Sequence, residues 1–147
     1  MKFKIKLASM IFLISGCTFN QQETSYYEQE ETPEVERNYS EVSEYELTWE
    51  AIFDVNEDQY YVYVYSTTCS HCDELKNYIV EKALQREDVY FIKGTSRDQI
   101  TSDSSKLIGA QKSDDVWILG YPSLLKISSQ KVTKNLAGVN QIKSEIK

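Results

Sequence analysis

The apolar positions after residue 46 change their period several times, as they do in a chain of alternating strands and helices. Residues 59–65, QYYVYVY, are β-branched or aromatic almost throughout, which is typical of a buried strand. Residues 70–85 instead repeat at helical spacing and predict one amphipathic helix. The apolar face of that helix comprises Cys72, Leu75, Ile79, Ala83 and Leu84.

The later segments predict a mixed sheet. Residues 88–94, DVYFIKG, form a second strand, and the order strand–helix–strand implies a parallel pair with a right-handed crossover. After VWIL, the segments GYPSLLKIS and VTKNLAG are separated by a turn at SQK and predict an antiparallel hairpin. Thr48 caps a short helix in WEAIFDV, and NQIKSEIK ends the chain as another. We therefore expect an α/β fold with a mixed β-sheet flanked by helices.

One stretch does not fit this alternation. Residues 95–115 are polar and poorly periodic, and only SSKLIGAQ within them predicts a short helix. Such a stretch either shapes a partner site or is an insertion that the fold tolerates.

The first 16 residues have the pattern of a secretory signal. Lys2, Lys4 and Lys6 precede the apolar run of residues 7–14. Eight helical residues span about 12 Å, too little for a hydrocarbon core of about 30 Å. The alternative, a buried N-terminal helix, lacks a cap and a helical period.

The end of this signal, ISGC, resembles the lipobox of bacterial lipoproteins. The resemblance implies that Cys17 is lipidated and becomes the first residue of the mature protein. Two or more acyl chains anchor a protein stably, because each buried CH₂ contributes about 0.8 kcal/mol. We therefore expect an extracytoplasmic protein, lipid-anchored to the bacterial cell membrane. An unlipidated Cys17 would be an unpaired thiol in an exported protein.

Charge separates the rest of the chain into two parts. All 23 acidic residues follow residue 16 while three of the 16 basic residues precede it, so the mature chain carries a net charge of −10. No basic stripe for nucleic acid is present. Residues 17–46 predict a lipidated cysteine and a disordered acidic tether, since residues 18–46 hold nine Glu against Arg37 and almost no large aliphatic side chains. Residues 47–147 are nearly balanced in charge and predict the folded domain.

Candidate chemistry is concentrated in residues 65–75, YSTTCSHCDEL, with two of the three cysteines and the only histidine. Cys69 and Cys72 could be a redox pair, half of a metal site or a structural clip. A tetrahedral zinc site needs four ligands, so carboxylates or a second chain would have to complete it. A clip across two residues closes a very small loop and restrains the unfolded chain little. These residues favour redox exchange.

The predicted helix gives the two cysteines different surroundings. Cys72 lies on its apolar face, whereas Cys69 precedes its first turn, where free N–H groups and the helix dipole stabilise a thiolate. Thiol–disulfide exchange needs this asymmetry: an accessible thiolate attacks and a sheltered neighbour resolves the mixed disulfide. His71 is either a polar surface residue or a group that stabilises the Cys69 thiolate and makes the disulfide more oxidising.

A strand that enters CxxC at the start of a helix, followed later by GYPSLLKI, resembles the thioredoxin superfamily over residues 48–147. The resemblance implies a thioredoxin-like fold, with Cys69 as nucleophile and Cys72 as resolving cysteine. Pro122 matches the cis-proline that faces the active site, and the Tyr121 backbone would bind an extended substrate by strand addition. Gly138 matches the glycine that follows the last strand. Without the resemblance, Pro122 would be an ordinary proline at a strand start.

The chain also departs from the family's pattern. Thr68 replaces the usual tryptophan before the first cysteine, and the buried aspartate of many thioredoxins falls near Tyr63. Ser70 and His71 differ from the Gly-Pro of thioredoxin and are closer to the Pro-His of strongly oxidising periplasmic members. These departures favour an oxidant or isomerase over a reductant, with Ser70 and His71 as the tuning residues.

Taken together, the residues and the resemblance imply a membrane-anchored thiol–disulfide oxidoreductase. Its partners would be cysteine-containing exported proteins and a redox partner that resets the dithiol. We expect a monomer that needs no metal and no cofactor beyond its own cysteines. The alternative is a non-catalytic thioredoxin-like lipoprotein that serves as an accessory of a surface or secretion assembly.

Overall fold

The computed structural model describes residues 35–96 and 98–147. Its regular elements are strands β1 (Gln59–Tyr65), β2 (Val89–Lys93), β3 (Ser123–Ser128) and β4 (Lys131–Ala137), and helices α1 (Ser70–Gln85) and α2 (Val139–Glu145). The four strands form one sheet in the order β2-β1-β3-β4. β1 is parallel to β2 and antiparallel to β3, and β3 is antiparallel to β4. The predicted mixed sheet is confirmed, and with its helices it forms a thioredoxin-like fold.

β1 is the centre of the core because its side chains are buried on both faces of the sheet. Successive residues of a strand point to opposite faces, so the strand supplies two apolar clusters. One face, here called the cysteine face, takes Tyr61, Tyr63 and Tyr65, and the opposite face takes Tyr60, Val62 and Val64. Both α1 and α2 pack on the cysteine face.

Helix α1 occupies the residues that the sequence predicted, but its buried face is shifted slightly. The buried residues are Cys72, Leu75, Ile79, Val80 and Ala83. Leu84, predicted to be on this face, is 45% exposed. It lies about 120° around the helix from Cys72, whereas Val80 lies about 80° away and so remains within the buried stripe.

The packed unit begins before the predicted boundary at residue 47, which corrects the assignment of residues 39–46 to a disordered tether. Asn38 caps a 3₁₀ helix, Tyr39–Tyr45, through a reciprocal capping box with Glu41. Val42 in this N-terminal 3₁₀ helix is 1% exposed. The acidic side chains stay in water while one apolar face is covered, so the high Glu content did not prevent folding. The predicted signal peptide, Cys17 and the tether up to residue 34 lie outside the described residues.

Two other segments have less helix than predicted. The helix after Thr48 is a single 3₁₀ turn, Trp49–Ala51, and Thr48 makes no side-chain cap to it. Residues 95–115 contain 3₁₀ turns at Ser104–Lys106 and Ser113–Asp115. Within residues 35–96 and 98–147, no helix is both long enough and apolar enough to cross a membrane.

Candidate functional site

Cys69 is the N-cap residue of α1 and is only partly buried. Its Sγ accepts a hydrogen bond of 3.2 Å from the backbone N–H of Cys72. Ser66 holds the preceding loop, because its carbonyl accepts from the Cys69 N–H at 3.3 Å and its hydroxyl lies 3.1 Å from that of Thr68. A sulfur placed here can be reached from solvent and lies at the N-terminus of the helix, where it accepts from a backbone N–H of the first turn.

Cys72 lies one turn further along α1 and is fully buried. Burial raises the pKa of the Cys72 thiol to about 12, and the hydrogen bond with Cys69 adds to the rise. The Ser66 backbone and the Tyr63 hydroxyl act in the opposite direction and lower the pKa of this thiol. Both cysteines are free thiols, and no three His, Cys, Asp or Glu side chains of the described ranges are placed to hold a metal ion.

Two tyrosine hydroxyls lie near Cys72. Tyr63, on β1, is fully buried, and its Oη lies 3.5 Å from the Oη of Tyr39. The Tyr39 hydroxyl donates to the backbone carbonyl of Cys72 at 3.0 Å. Burial is the main cause that raises the pKa of each of these tyrosines far above its usual value. Both therefore remain protonated under physiological conditions.

Pro122 lies beside the cysteine loop because of the strand register. β1 and β3 are antiparallel, and Val64 pairs with Ser123, so the residue before β3 meets the end of β1 that leads to Cys69. The Tyr121–Pro122 peptide bond is cis, and Pro122 is buried. Tyr121 is partly buried and packs against the apolar clusters of both faces.

The side chain of Tyr121 is directed to the loop after β2. Its hydroxyl donates to Asp98, and burial together with this hydrogen bond raises the pKa of Tyr121 well above its usual value. Asp98 also accepts from the indole N–H of Trp49 at 2.9 Å and from the backbone N–H of Thr95 at 3.1 Å. Gly94 makes room for the tyrosine ring, since a Cβ there would lie 2.5 Å from Tyr121 ring atoms.

The predicted tuning residues lie in the first turn of α1. Ser70 and His71 are both exposed, and within the described part of the chain the His71 side chain forms no hydrogen bond or ion pair. Cys69 and Cys72 thus lie one turn apart at the start of α1, Pro122 lies just before the strand that pairs with β1, and His71 lies at the surface. A tuning role for Ser70 and His71 stays a prediction.

Two residues of the site were missed by the sequence interpretation. Tyr39 was placed in the tether, although the sequence NYSE contains the Asn and Glu of a capping box and so indicated a helix start. Asp98 lies in the polar stretch 95–115 and gave no sequence signal. Tyr63 was noted only as the residue at the position of a missing aspartate.

Comparison with known proteins found no matching family model and no matching curated protein sequence. Among solved structures, the chain is similar to a thioredoxin of Plasmodium falciparum, with 14% identity, a TM-score of 0.46, and coverage of 69% of this chain and 94% of that one. The chain is also similar to Chlamydomonas reinhardtii thioredoxin f2, with 14% identity, a TM-score of 0.45, and coverage of 68% of this chain and 88% of that one. It is similar to mitochondrial thioredoxin 3 of Saccharomyces cerevisiae, with 15% identity, a TM-score of 0.48, and coverage of 73% of this chain and 96% of that one. These values do not assign an activity, so the function has to be argued from the site itself.

Proposed function

We propose that this protein is a thiol–disulfide oxidoreductase that exchanges disulfides with exported proteins through Cys69 and Cys72. The observation that carries the proposal is the asymmetry of the two thiols. Cys69 is partly exposed and caps α1, while Cys72 is fully buried one turn away and its N–H is bonded to the Cys69 sulfur. An accessible attacking thiol with a sheltered resolving thiol is the arrangement that exchange requires.

The substrate would bind along the exposed rim of this site. Tyr121 precedes the cis peptide bond at the start of β3, next to the loop that carries Cys69. We infer that the Tyr121 backbone pairs with an extended substrate segment next to its cysteine. Main-chain pairing tolerates many side chains, which suits an enzyme that acts on several exported proteins.

We further propose that the enzyme works outside the cytoplasm, held to the cell membrane by lipid on Cys17. The basic and apolar pattern of residues 1–16 and the lipobox-like ISGC support this location. Cys17→Ser should release the chain from the membrane fraction without changing the redox chemistry of the Cys69–Cys72 pair. A chain that stays in the membrane fraction after this change would contradict lipid anchoring.

The first experiment measures the reduction potential of the Cys69–Cys72 pair. The whole chain, in mild detergent, is equilibrated in graded glutathione buffers and its free thiols are alkylated and counted by mass. A potential of about −120 mV would identify a disulfide donor, and a potential of about −270 mV would identify a thioredoxin-like reductant. A pair that never equilibrates with glutathione would contradict the enzyme and favour the accessory module.

A trapping experiment tests the roles of the individual thiols. Cys72→Ser should accumulate mixed disulfides between Cys69 and exported proteins, because the resolving thiol is missing. The double variant Cys69→Ser/Cys72→Ser is the matched control and should trap nothing. If Cys72→Ser captures no more protein in cells than the double variant does, exchange through Cys69 is refuted.

A further inference from the structure

The buried side of the cysteine pair is lined by hydroxyl groups. Tyr63, on β1, lies in the same buried cluster as Cys72, and Tyr39 donates to the Cys72 carbonyl from the N-terminal 3₁₀ helix. The groups whose charge or dipole acts in this region include the Ser66 backbone and the side chains of Cys69, Asp73, Tyr39, Tyr63 and Tyr121. The side chains that α2 contributes are apolar, Ile142 and Ile146.

Of the Tyr39 and Tyr63 hydroxyl protons, only that of Tyr63 is free to change its hydrogen-bond acceptor. A phenol hydroxyl has a single O–H, and Tyr39 uses its own on the Cys72 carbonyl at 3.0 Å. The Tyr63 hydroxyl lies 3.5 Å from the Tyr39 oxygen, and the Cys72 sulfur, in the same buried cluster, is a second acceptor toward which its O–H can turn. Because 3.5 Å is long for a hydrogen bond between hydroxyls, rotation of the Tyr63 O–H toward the sulfur gives up little.

A thiolate on Cys72 needs such a donor. Its sulfur is sealed from water, so a negative charge there is costly unless a hydrogen bond reaches it. Both tyrosines keep their protons, since burial raises the pKa of each. They can stabilise a thiolate by donation, and they cannot remove a proton from the thiol as a carboxylate would.

We propose that Tyr63 is a catalytic residue that donates its O–H to the Cys72 sulfur while that sulfur attacks the mixed disulfide, and that Tyr39 is the positioning residue that holds both Tyr63 and the Cys72 turn. The proposal deepens the function proposed above and rests on it. It also makes the N-terminal 3₁₀ helix, which lies within the segment predicted to be the tether, a part of the redox centre.

The step is the resolution of the mixed disulfide by Cys72. After Cys69 has attacked a substrate disulfide, the mixed disulfide joins Cys69 Sγ to one substrate sulfur. Cys72 Sγ loses its proton and forms a bond with Cys69 Sγ, and the bond between Cys69 and the substrate sulfur breaks. The substrate leaves as a thiolate and takes up one proton. The cysteine pair is thereby oxidised by two electrons and the substrate disulfide is reduced, with no further reactant.

The contacts of the N-terminal 3₁₀ helix explain how Tyr39 is held. The Tyr39 ring stacks on the Tyr65 ring, with 3.9 Å between the ring centroids. Val42 is buried in the same cluster, and the backbone N–H of Arg37 donates to Asn77 of α1 at 2.9 Å. Removal of one hydroxyl from this stack should leave the packing in place.

The test separates the two chemical steps with dithiodipyridine as the disulfide. Attack by Cys69 releases one coloured thiopyridone, and attack by Cys72 releases the second, so stopped-flow absorbance gives one phase for each step. The whole reduced chain is compared with Tyr63→Phe and Tyr39→Phe. Tyr65→Phe is the matched control, because its hydroxyl bonds Glu46 at 2.9 Å and its ring belongs to the same stack.

In Tyr63→Phe the second phase should slow about tenfold, the effect of one lost hydrogen bond to a charged atom, while the first phase stays within about twofold. Tyr39→Phe, a change at the edge of the cluster that the fold should tolerate, should slow the second phase about threefold, because its contact with the sulfur is indirect. Tyr65→Phe should match the wild type in both phases. A merely structural role would slow both phases or lower the stability instead.

Three outcomes would overturn the proposal. A second phase of wild-type rate in Tyr63→Phe, or in Tyr39→Phe if the first variant does not fold, would exclude the hydroxyl pair while leaving the oxidoreductase intact. Equal slowing in Tyr65→Phe would assign the effect to packing. A wild-type chain that releases no thiopyridone would refute the proposed function and this inference together.

Discussion

The two faces of the sheet take tyrosines from the same strand and use them differently. On the opposite face, Tyr60 packs among mainly aliphatic side chains and edge-on against Tyr90, and its hydroxyl donates to the carbonyl of Ile52 at 2.6 Å. On the cysteine face, Tyr63 joins aromatic rings and hydroxyls that surround Cys72. Burial is equally complete at Tyr60 and Tyr63, so burial alone does not mark the functional face. The cysteine face differs from the opposite face in the groups that its tyrosine hydroxyls can contact.

The largest expected effect tests whether the opposite face affects stability alone. Ile127 is fully buried there, and Ile127→Ala should lower the free energy of unfolding by about 2–5 kcal/mol through lost burial and a cavity. Urea unfolding measures the loss. The two dithiodipyridine phases should keep their ratio in the folded protein. A slowing of the second phase alone would show that the two faces are not independent.

The next effect concerns Tyr121, which packs against the apolar clusters of both faces, and its neighbour Gly94. Gly94→Ala would place a Cβ 2.5 Å from Tyr121 ring atoms. We expect a loss of about 1–3 kcal/mol in the free energy of unfolding, as for other overpacked sites. The control is the same change in a Tyr121→Ala background, where the ring is absent and the added cost should nearly vanish. Equal costs in both backgrounds would show that the ring is not the obstacle.

A smaller effect compares the two tyrosine hydroxyls directly. Tyr60→Phe leaves the Ile52 carbonyl without its 2.6 Å donor and should cost about 1–2 kcal/mol of unfolding free energy. Chemical denaturation gives this value. Because Tyr60 is on the face away from Cys72, both phases of disulfide reduction should stay unchanged. If the second phase slows as it does in Tyr63→Phe, hydroxyl position is not what distinguishes the faces.

The smallest effect is a pH dependence of stability specific to the cysteine face. The pKa of the Cys72 thiol is raised to about 12, above its ordinary value of 9.0, so the folded state keeps this proton longer than the unfolded state does. Stability from this group is fully present below pH 9.0 and is lost as the pH rises toward 12. By about pH 9.5 the reduced wild type should lose under about 1 kcal/mol relative to Cys72→Ser.

Unfolding of both proteins at several pH values between neutral and about 9.5 measures this difference, and subtraction of the Cys72→Ser curve removes the contribution of the tyrosines. A wild type that becomes more stable than Cys72→Ser as the pH rises over this range would contradict the expected loss of unfolding free energy. It would mean that the Cys72 thiolate is favoured by the fold.

Local pattern was enough for the central elements of this protein. The bounds of β1 and α1 follow from a β-branched, aromatic run and from an apolar repeat at helical spacing. The position of the two cysteines at the start of α1 follows as well, because a helix start and its apolar face are properties of neighbouring residues. That part of the candidate site could be predicted without coordinates.

Contacts between distant residues were decided only by tertiary structure. Tyr39 meets Tyr63 across 24 residues of sequence and Cys72 across 33, and Tyr121 meets Asp98 across 23. The acidic composition of residues 18–46 predicted disorder because that segment cannot bury enough apolar surface by itself. The cysteine face supplies the missing surface for Tyr39 and Val42, so the sheet and α1 determine that residues 39–45 fold.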